Sequence, residues 1–179
     1  LVGSEMCIRD RAKDYALFMA IKDEQMGAPW TQWPLPLRTR NGKALAKKRK
    51  ELHEEVDYYV FLQMIFFEQW KQLSKYAKEQ GVSIIGDIPI YVAMDSADTW
   101  ANPDLFQLDA QCRPTAVAGC PPDAFTADGQ LWGNPLYRWD VMARDGYRWW
   151  LDRIRASLEL FDAVRICSTL AVSCEISSQ

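Results

Sequence analysis

The chain has 179 residues, 49% of them hydrophobic, and a formal net charge of −3, which is the length and balance of one ordinary globular domain and excludes global disorder. Its longest uncharged apolar runs, 58–67 and 166–174, fall short of the ~18 residues a membrane-spanning helix needs, and mild acidity offers no footprint for nucleic acid. Five cysteines with no Cys-X-X-Cys pair, and first residues that lack a secretory apolar core, read as free thiols in a cytoplasmic protein.

In chain order, Tyr15, Phe18, Met19 and Ile21 recur at helical spacing within 12–24, and Gly27 with Pro29 ends that helix. Residues 30–37 hold Pro34 and Pro36 beside Trp30 and Trp33 and read as a turn or extended loop. Seven basic side chains from Arg38 to Lys50 are balanced by four acids up to Asp57, the pattern of a solvated loop and helix start. The single histidine, His53, lies in this charged stretch, so neither a multi-imidazole zinc site nor Ser-His or Cys-His catalysis is built from it. The longest helix is expected over 44–80 with a break near Glu55. Its second half is apolar on most sides through Tyr59, Leu62, Phe66, Trp70 and Leu73 and requires heavy burial.

Gly81 is a natural stop, after which 82–86 reads as a short continuous strand of the parallel-sheet kind, ending at Asp87. A second helix over 147–160, with Trp149 and Trp150 toward the core, leads into a strand over 161–166. Two helix-to-strand steps predict an α/β fold with a parallel sheet. Between them, 88–145 carries Pro89, Pro103, Pro114, Pro121, Pro122 and Pro135 with weak periodicity. It reads as a long aromatic and proline-rich loop excursion, where binding function concentrates.

Eight Trp, seven Tyr and seven Phe exceed what a core of this size needs, and flat rings with polar edges suit pyranose sugars. Asp87 sits where a buried strand hands over to its loop, the edge at which α/β sheets bind ligands. The residue type alone leaves open a functional carboxylate or a structural acceptor for loop backbone. Tyr91, in Ile88-Pro89-Ile90-Tyr91-Val92, is core or a sugar contact. Pro121 and Pro122 stiffen the loop that carries Asp123 and Phe125. Trp132 stands within Gly129-Gln130-Leu131-Trp132-Gly133-Asn134, flanked by amides able to bond hydroxyls. It is either a ligand-facing ring or a loop anchor.

Together these segments carry a resemblance. Gly86-Asp87-Ile88-Pro89-Ile90-Tyr91-Val92, Ser96-Ala97-Asp98-Thr99-Trp100, Val117-Ala118-Gly119 with Pro121-Pro122-Asp123, the stretch 129–135, Gly146-Tyr147 with Trp149-Trp150, and Val164-Arg165-Ile166 closely resemble the 4-α-glucanotransferases, also called amylomaltases or disproportionating enzymes, of the α-amylase-like glycoside hydrolases. The match runs over about 13–166. The resemblance implies a (β/α)8 (TIM) barrel that moves α-1,4-glucan chains between maltodextrins, with maltose and glucose among the sugars handled, by retaining double displacement and without cofactor or metal. It places Asp87 and Arg165 near the reacting sugar, and Asp123, Phe125, Trp132 and Asn134 in the loop shaping the glucan and acceptor sites. Tyr91 and Trp100 are further contact candidates.

The chain departs from the family at one decisive position. Where the family places its Asp nucleophile after Arg-Ile, this chain has Cys167, followed by Ser168 and Thr169. The acid/base Glu and third carboxylate fall past Gln179, so the chain alone is expected to be inactive. Residues 1–11 and 167–179 match nothing expected of the family, and 12–166 reads as an internal fragment of the catalytic barrel with foreign ends. Such a barrel needs ~250 residues, so a partial one is expected. A second reading is a non-catalytic α-glucan-binding module. An α-glucan hydrolase would differ only in how water competes with sugar acceptors.

Overall fold

In the computed structural model, which describes residues 2–122, 124, 127–167 and 172–175, with side chains only within 12–166, the chain divides into two units. The first comprises Leu1–Ile88 with Arg148–Arg165, and the second Pro89–Tyr147 with Ile166–Gln179.

The first unit opens with α1 (Val2–Glu24), which starts well before the Ala12 expected from side-chain periodicity. Its end is a left-handed turn: Met26 has φ 54°, its N–H donates to Asp23 O, and that of Gly27 donates to Lys22 O. These bonds close the open carbonyls of the last turn. Residues 30–37 are not the expected loop. They form a 3-10 turn, Trp30–Gln32, and a short α2, Leu35–Arg38, in which Pro36 occupies the first turn. Proline there gives up an N–H that has no helical partner anyway, so the prolines start a helix rather than forbid one. Asn41 caps α3 (Gly42–Glu51), its Oδ1 accepting from the Lys43 and Ala44 N–H groups.

A one-residue break at Leu52 separates α3 from α4 (His53–Glu79), close to the break expected at Glu55. The basic run is only partly solvated, because Arg40 pairs with Asp14 at 2.9 Å and Lys48 with Glu24 at 2.6 Å, both on α1. Further along, Tyr59 donates its hydroxyl to Asp23. Helix α4 ends in the same cap as α1, with Gly81 N–H on Lys78 O and Val82 N–H on Ala77 O.

The expected heavy burial of α4 is corrected by the structure: none of its residues is buried. Val56, Tyr59, Gln63, Trp70, Ser74 and Ala77, spaced by threes and fours or their multiples, are half-covered. Leu62, Phe66 and Leu73 are exposed. Apolarity on all sides shows what the helix requires, and the described residues cover one side of it.

Strand β1 (Ile85–Pro89) alternates exposed and buried positions. The expected continuous strand over 82–86 is therefore shifted, because Val82 is consumed by the α4 cap. Helix α7 (Arg148–Leu160) leads to β4 (Ala163–Cys167), and β1 and β4 are hydrogen-bonded neighbours. Asp162 fastens their entries together: its Oδ2 accepts from Ile84 N–H at 2.9 Å and its Oδ1 pairs with Lys78 at 3.0 Å. Trp70 of α4 donates to Leu160 O and meets Phe161 edge to face. The α/β class stands. Trp150 is buried and Trp149 packs against it, as expected.

In the second unit the expected loop excursion is an ordered structure. Ser96 caps the short helix α5 (Ala97–Ala101). Strands β2 (Ala116–Cys120) and β3 (Gln130–Pro135) pair antiparallel, and β5 (Val172–Glu175) adds antiparallel on the other edge of β2. A short α6 (Trp139–Met142) follows β3. The core is Trp100, Phe106, Val117, Ala118, Tyr137 and Met142. Periodicity misses these strands because they are short and rich in Ala, Gly, Asn and Pro, residues with weak strand preference. Among the described residues no helix is long and apolar enough to cross a membrane.

Candidate functional site

In the first unit, Gly86 lets β1 approach Phe161, the residue packed just ahead of β4; a Cβ at position 86 would lie 2.1 Å from the ring. Gly86 and Ile88 face inward, so Asp87 faces out. There it meets Arg165 of β4. Nε donates to Oδ1 and Nη2 to Oδ2, each at 2.6 Å, a two-pronged match of planar guanidinium to carboxylate. The arginine's hydrogen bonds hold the Asp87 carboxyl below its ordinary pKa. A carboxylate kept ionised, with both oxygens engaged, is not a proton donor. Its chemistry is to fix the fork of Arg165. Cys167 closes the same strand; its side chain lies outside the described residues.

In the second unit, register is Cys120 opposite Gln130 and Gly119 opposite Leu131, then shifts so that Val117 faces Pro135. Trp132, Gly133 and Asn134 lie where that register shifts, and such irregularities re-aim side chains next to sites. Gly133 has φ 75°, which a side chain would strain. Trp132 is 36% exposed, with its indole N–H on Gln130 Oε1 at 2.9 Å. Each neighbouring amide makes an internal bond: Gln130 Oε1 accepts from the Trp132 indole, and Asn134 donates Nδ2–H to Val92 O at 2.8 Å.

Two other candidates lie at covered positions. Trp100 is fully buried, held in a helix whose N-cap Ser96 and partner Thr99 close on the backbone, so in this arrangement its ring is core and presents no face to a ligand. Tyr91 stacks on Tyr137 at 5.8 Å and packs against Ala116, Ala118 and Leu136; burial pushes its pKa up. Of its two open readings the core one fits. Asp123 and Phe125 lie outside the described residues. Sequence reasoning missed Asp162 and Tyr137, the latter donating its hydroxyl to Ile90 O at 2.8 Å, and neither carried a local signal. Among the described residues no group of three or more His, Cys, Asp or Glu side chains could hold a metal ion.

Comparison with known proteins agrees with the resemblance. The family described as 4-alpha-glucanotransferase matches residues 8–167. A 4-alpha-glucanotransferase of Thermus thermophilus is 54% identical over 154 residues, which is 86% of this chain and 31% of that protein. That of Aquifex aeolicus is 47% identical over 154 residues, 86% of this chain and 32% of its own length. Among solved structures, an amylomaltase from Streptococcus agalactiae in complex with acarbose matches with a TM-score of 0.90 and 38% identity, covering 96% of this chain and 36% of that chain. The chain thus spans about a third of the length of the curated relatives it matches.

Proposed function

The chain belongs to the 4-alpha-glucanotransferase family, and we propose that it is a segment of a retaining α-1,4-glucan transferase, a portion of a (β/α)8 barrel that passes chains between maltodextrins. The observation that carries this reading is the forked Asp87–Arg165 pair on neighbouring strands. Retaining transfer needs one carboxylate to attack the anomeric carbon and another carboxyl group, about 5 Å away, to act as acid and then base. A guanidinium two residues before the nucleophile, on the same strand face, keeps that nucleophile ionised and oriented. Asp87 supplies the fixed partner that stops Arg165 from collapsing onto the nucleophile. Trp132, turned outward where the register shifts, offers a ring for sugar stacking, and Asp123 and Phe125 belong to the same glucan-contacting loop. Maltodextrins, maltose and glucose are the proposed donors and acceptors.

Cys167 stands where the nucleophile is expected, so this chain by itself is proposed to turn over no glucan. The same cysteine favours the second reading, glucan binding without transfer. One experiment separates them. Residues 13–166 replace the matched stretch of the Thermus thermophilus enzyme, which keeps its own following residues, and transfer from maltotriose is followed by product chromatography. Transfer in the chimera, abolished by Arg165→Ala and strongly reduced by Asp87→Ala, is the expected result. A folded chimera that binds maltodextrin but yields neither glucose nor longer chains overturns it, and the isolated chain producing them overturns the assignment of residue 167.

A further inference from the structure

Asp162 grips one residue beside the neighbouring strand by both of that residue's backbone polar groups. Its Oδ2 accepts from Ile84 N–H at 2.9 Å, and its own N–H donates to Ile84 O at 3.0 Å. Lys78, in the last turn of α4, pairs with the other carboxylate oxygen at 3.0 Å. Three residues further along each segment, Asp87 meets Arg165. The two contacts advance together along β1 and β4, so these strands run in the same direction, and the pairs 84–162 and 87–165 belong to one register. At about 3.3 Å per residue, the fork lies about 10 Å beyond the grip.

Backbone bonds alone leave that register open. A ladder repeats along the strand and can re-form after a slip, and short runs such as Ile84-Ile85-Gly86 and Ala163-Val164 say little about which residue must face which. The Asp162 carboxylate is an acceptor that the ladder does not repeat. A slip of one residue turns Asp87 to the face opposite Arg165, and a slip of two sets it level with position 163 or 167. We propose that Asp162 is a positioning residue of the transfer reaction: by clasping Ile84 it pins β1 to β4 in the register that brings Asp87 level with Arg165. Lys78, its side chain 63% exposed, adds little beyond steadying the carboxylate, and the bond to Ile84 N–H does the pinning. That bond and Lys78 hold the Asp162 carboxyl below its ordinary pKa, so the acceptor stays charged at neutral pH. The consequence for catalysis rests on the transfer reading, whereas the pinning itself is measured without turnover.

The chain is labelled with 15N-arginine, and the Nε–H resonance of Arg165 is assigned by its loss in Arg165→Lys. That resonance should be displaced and slow to exchange in the original chain, and should return to the position of solvent-exposed arginines in Asp162→Ala. Asp162→Asn, whose amide oxygen still accepts from Ile84 N–H, should restore it. Tyr59→Phe, which removes a bond between α1 and α4, should leave it in place, so a general loss of stability is not what is read. Where Asp162→Ala does not fold, Asp162→Glu serves: it keeps the charge for Lys78, but its longer stem displaces β1 and should move the resonance the same way. In the Thermus thermophilus chimera, Asp162→Ala should lower kcat/KM for maltotriose about tenfold, and less than about twofold where Asp87→Ala has already released the fork. An Nε–H resonance unmoved by Asp162→Ala overturns the proposal. An equal loss of kcat/KM in both backgrounds also overturns it, leaving Asp162 a role in stability alone. A chimera without any transfer fails the transfer reading, and the resonance still decides whether Asp162 holds the fork.

Discussion

Replacing Gly86 with alanine tests the packing that presents Asp87. An ideal Cβ there stands 2.1 Å from Cδ2, 2.4 Å from Cε2 and 2.4 Å from Cγ of Phe161, whereas carbon atoms in good contact sit about 3.5–4.0 Å apart. Either the ring swings away, losing its edge-to-face contact with Trp70 at 5.5 Å, or β1 moves and strains the Ile84–Asp162 bonds. Overpacking costs about 1–3 kcal/mol, and loss of the ring pair adds about 0.5–1.5 kcal/mol. We expect Gly86→Ala to destabilise the first unit by about 2–4 kcal/mol, which for a chain of this length is a fall in Tm of about 5–15 °C. The sign is informative, since in an unstrained strand the same change stiffens the unfolded chain and stabilises by about 0.4–1 kcal/mol. Urea and thermal unfolding followed by circular dichroism measure it. Phe161→Ala should absorb the added methyl, so the double variant is no less stable than Phe161→Ala alone. Gly86→Ala as stable as the original chain, or costs that simply add in the double variant, would refute the reasoning.

The Tyr59 phenol, hydrogen-bonded to the Asp23 carboxylate, has its pKa raised to about 12. Its folded value lies above the unfolded one, so the α1–α4 contact is fully stabilised below the ordinary value of 10.0 and loses that stability as pH rises toward 12; the urea midpoint should fall in that window, and not in Tyr59→Phe. Asp162 is shifted the other way, lowered from 3.8 by the Ile84 N–H and then by Lys78. Its contribution is present above that ordinary value and is lost as pH falls through the lowered one, so Asp162→Asn should flatten the acid limb of the stability profile, and an unchanged limb would remove the residue from that role. Trp132→Ala should change stability by no more than about 0.5 kcal/mol, the range of surface changes, while abolishing any tryptophan fluorescence response to maltoheptaose; a large fall in Tm would make Trp132 an anchor.

What the sequence made legible follows from how local the physics is. The helix ends at Gly27 and Gly81 were readable because a cap is decided within a few residues, and the break near Leu52 because acids crowd the start of a new helix. Strand β1 was read three residues early, since Val82 and Ile84 look like strand while the backbone of Val82 is still closing a helix. The hairpin of β2 and β3 was not readable: Ala116-Val117-Ala118-Gly119 has no alternation, and what makes it a strand is the pairing with residues 130–135 and 172–175. At the site, the outward Trp132 had a local signal in its glycines. Asp87 and Arg165 are 78 residues apart, and no spacing rule joins them; only the resemblance placed both near one sugar. The burial of Trp100 had no local signal, since it depends on residues distant in the chain.

The contrast between α4 and Trp100 shows what hydrophobicity alone measures. The helix was read from its apolar run as needing cover, and most of its residues are exposed; Trp100 was a contact candidate only through the resemblance, and its ring is buried. Apolar periodicity records a demand for burial, and whether the demand is met depends on which neighbours the fold brings. Trp100 is buried in a unit where Phe106, Tyr137 and Met142 are buried too. For α4 neighbours are supplied on one side only, through Asp23 and Leu160, and about 25 cal/mol for each Å² of apolar surface left in water remains as a driving force for association. That residual demand was already written in the run 58–67.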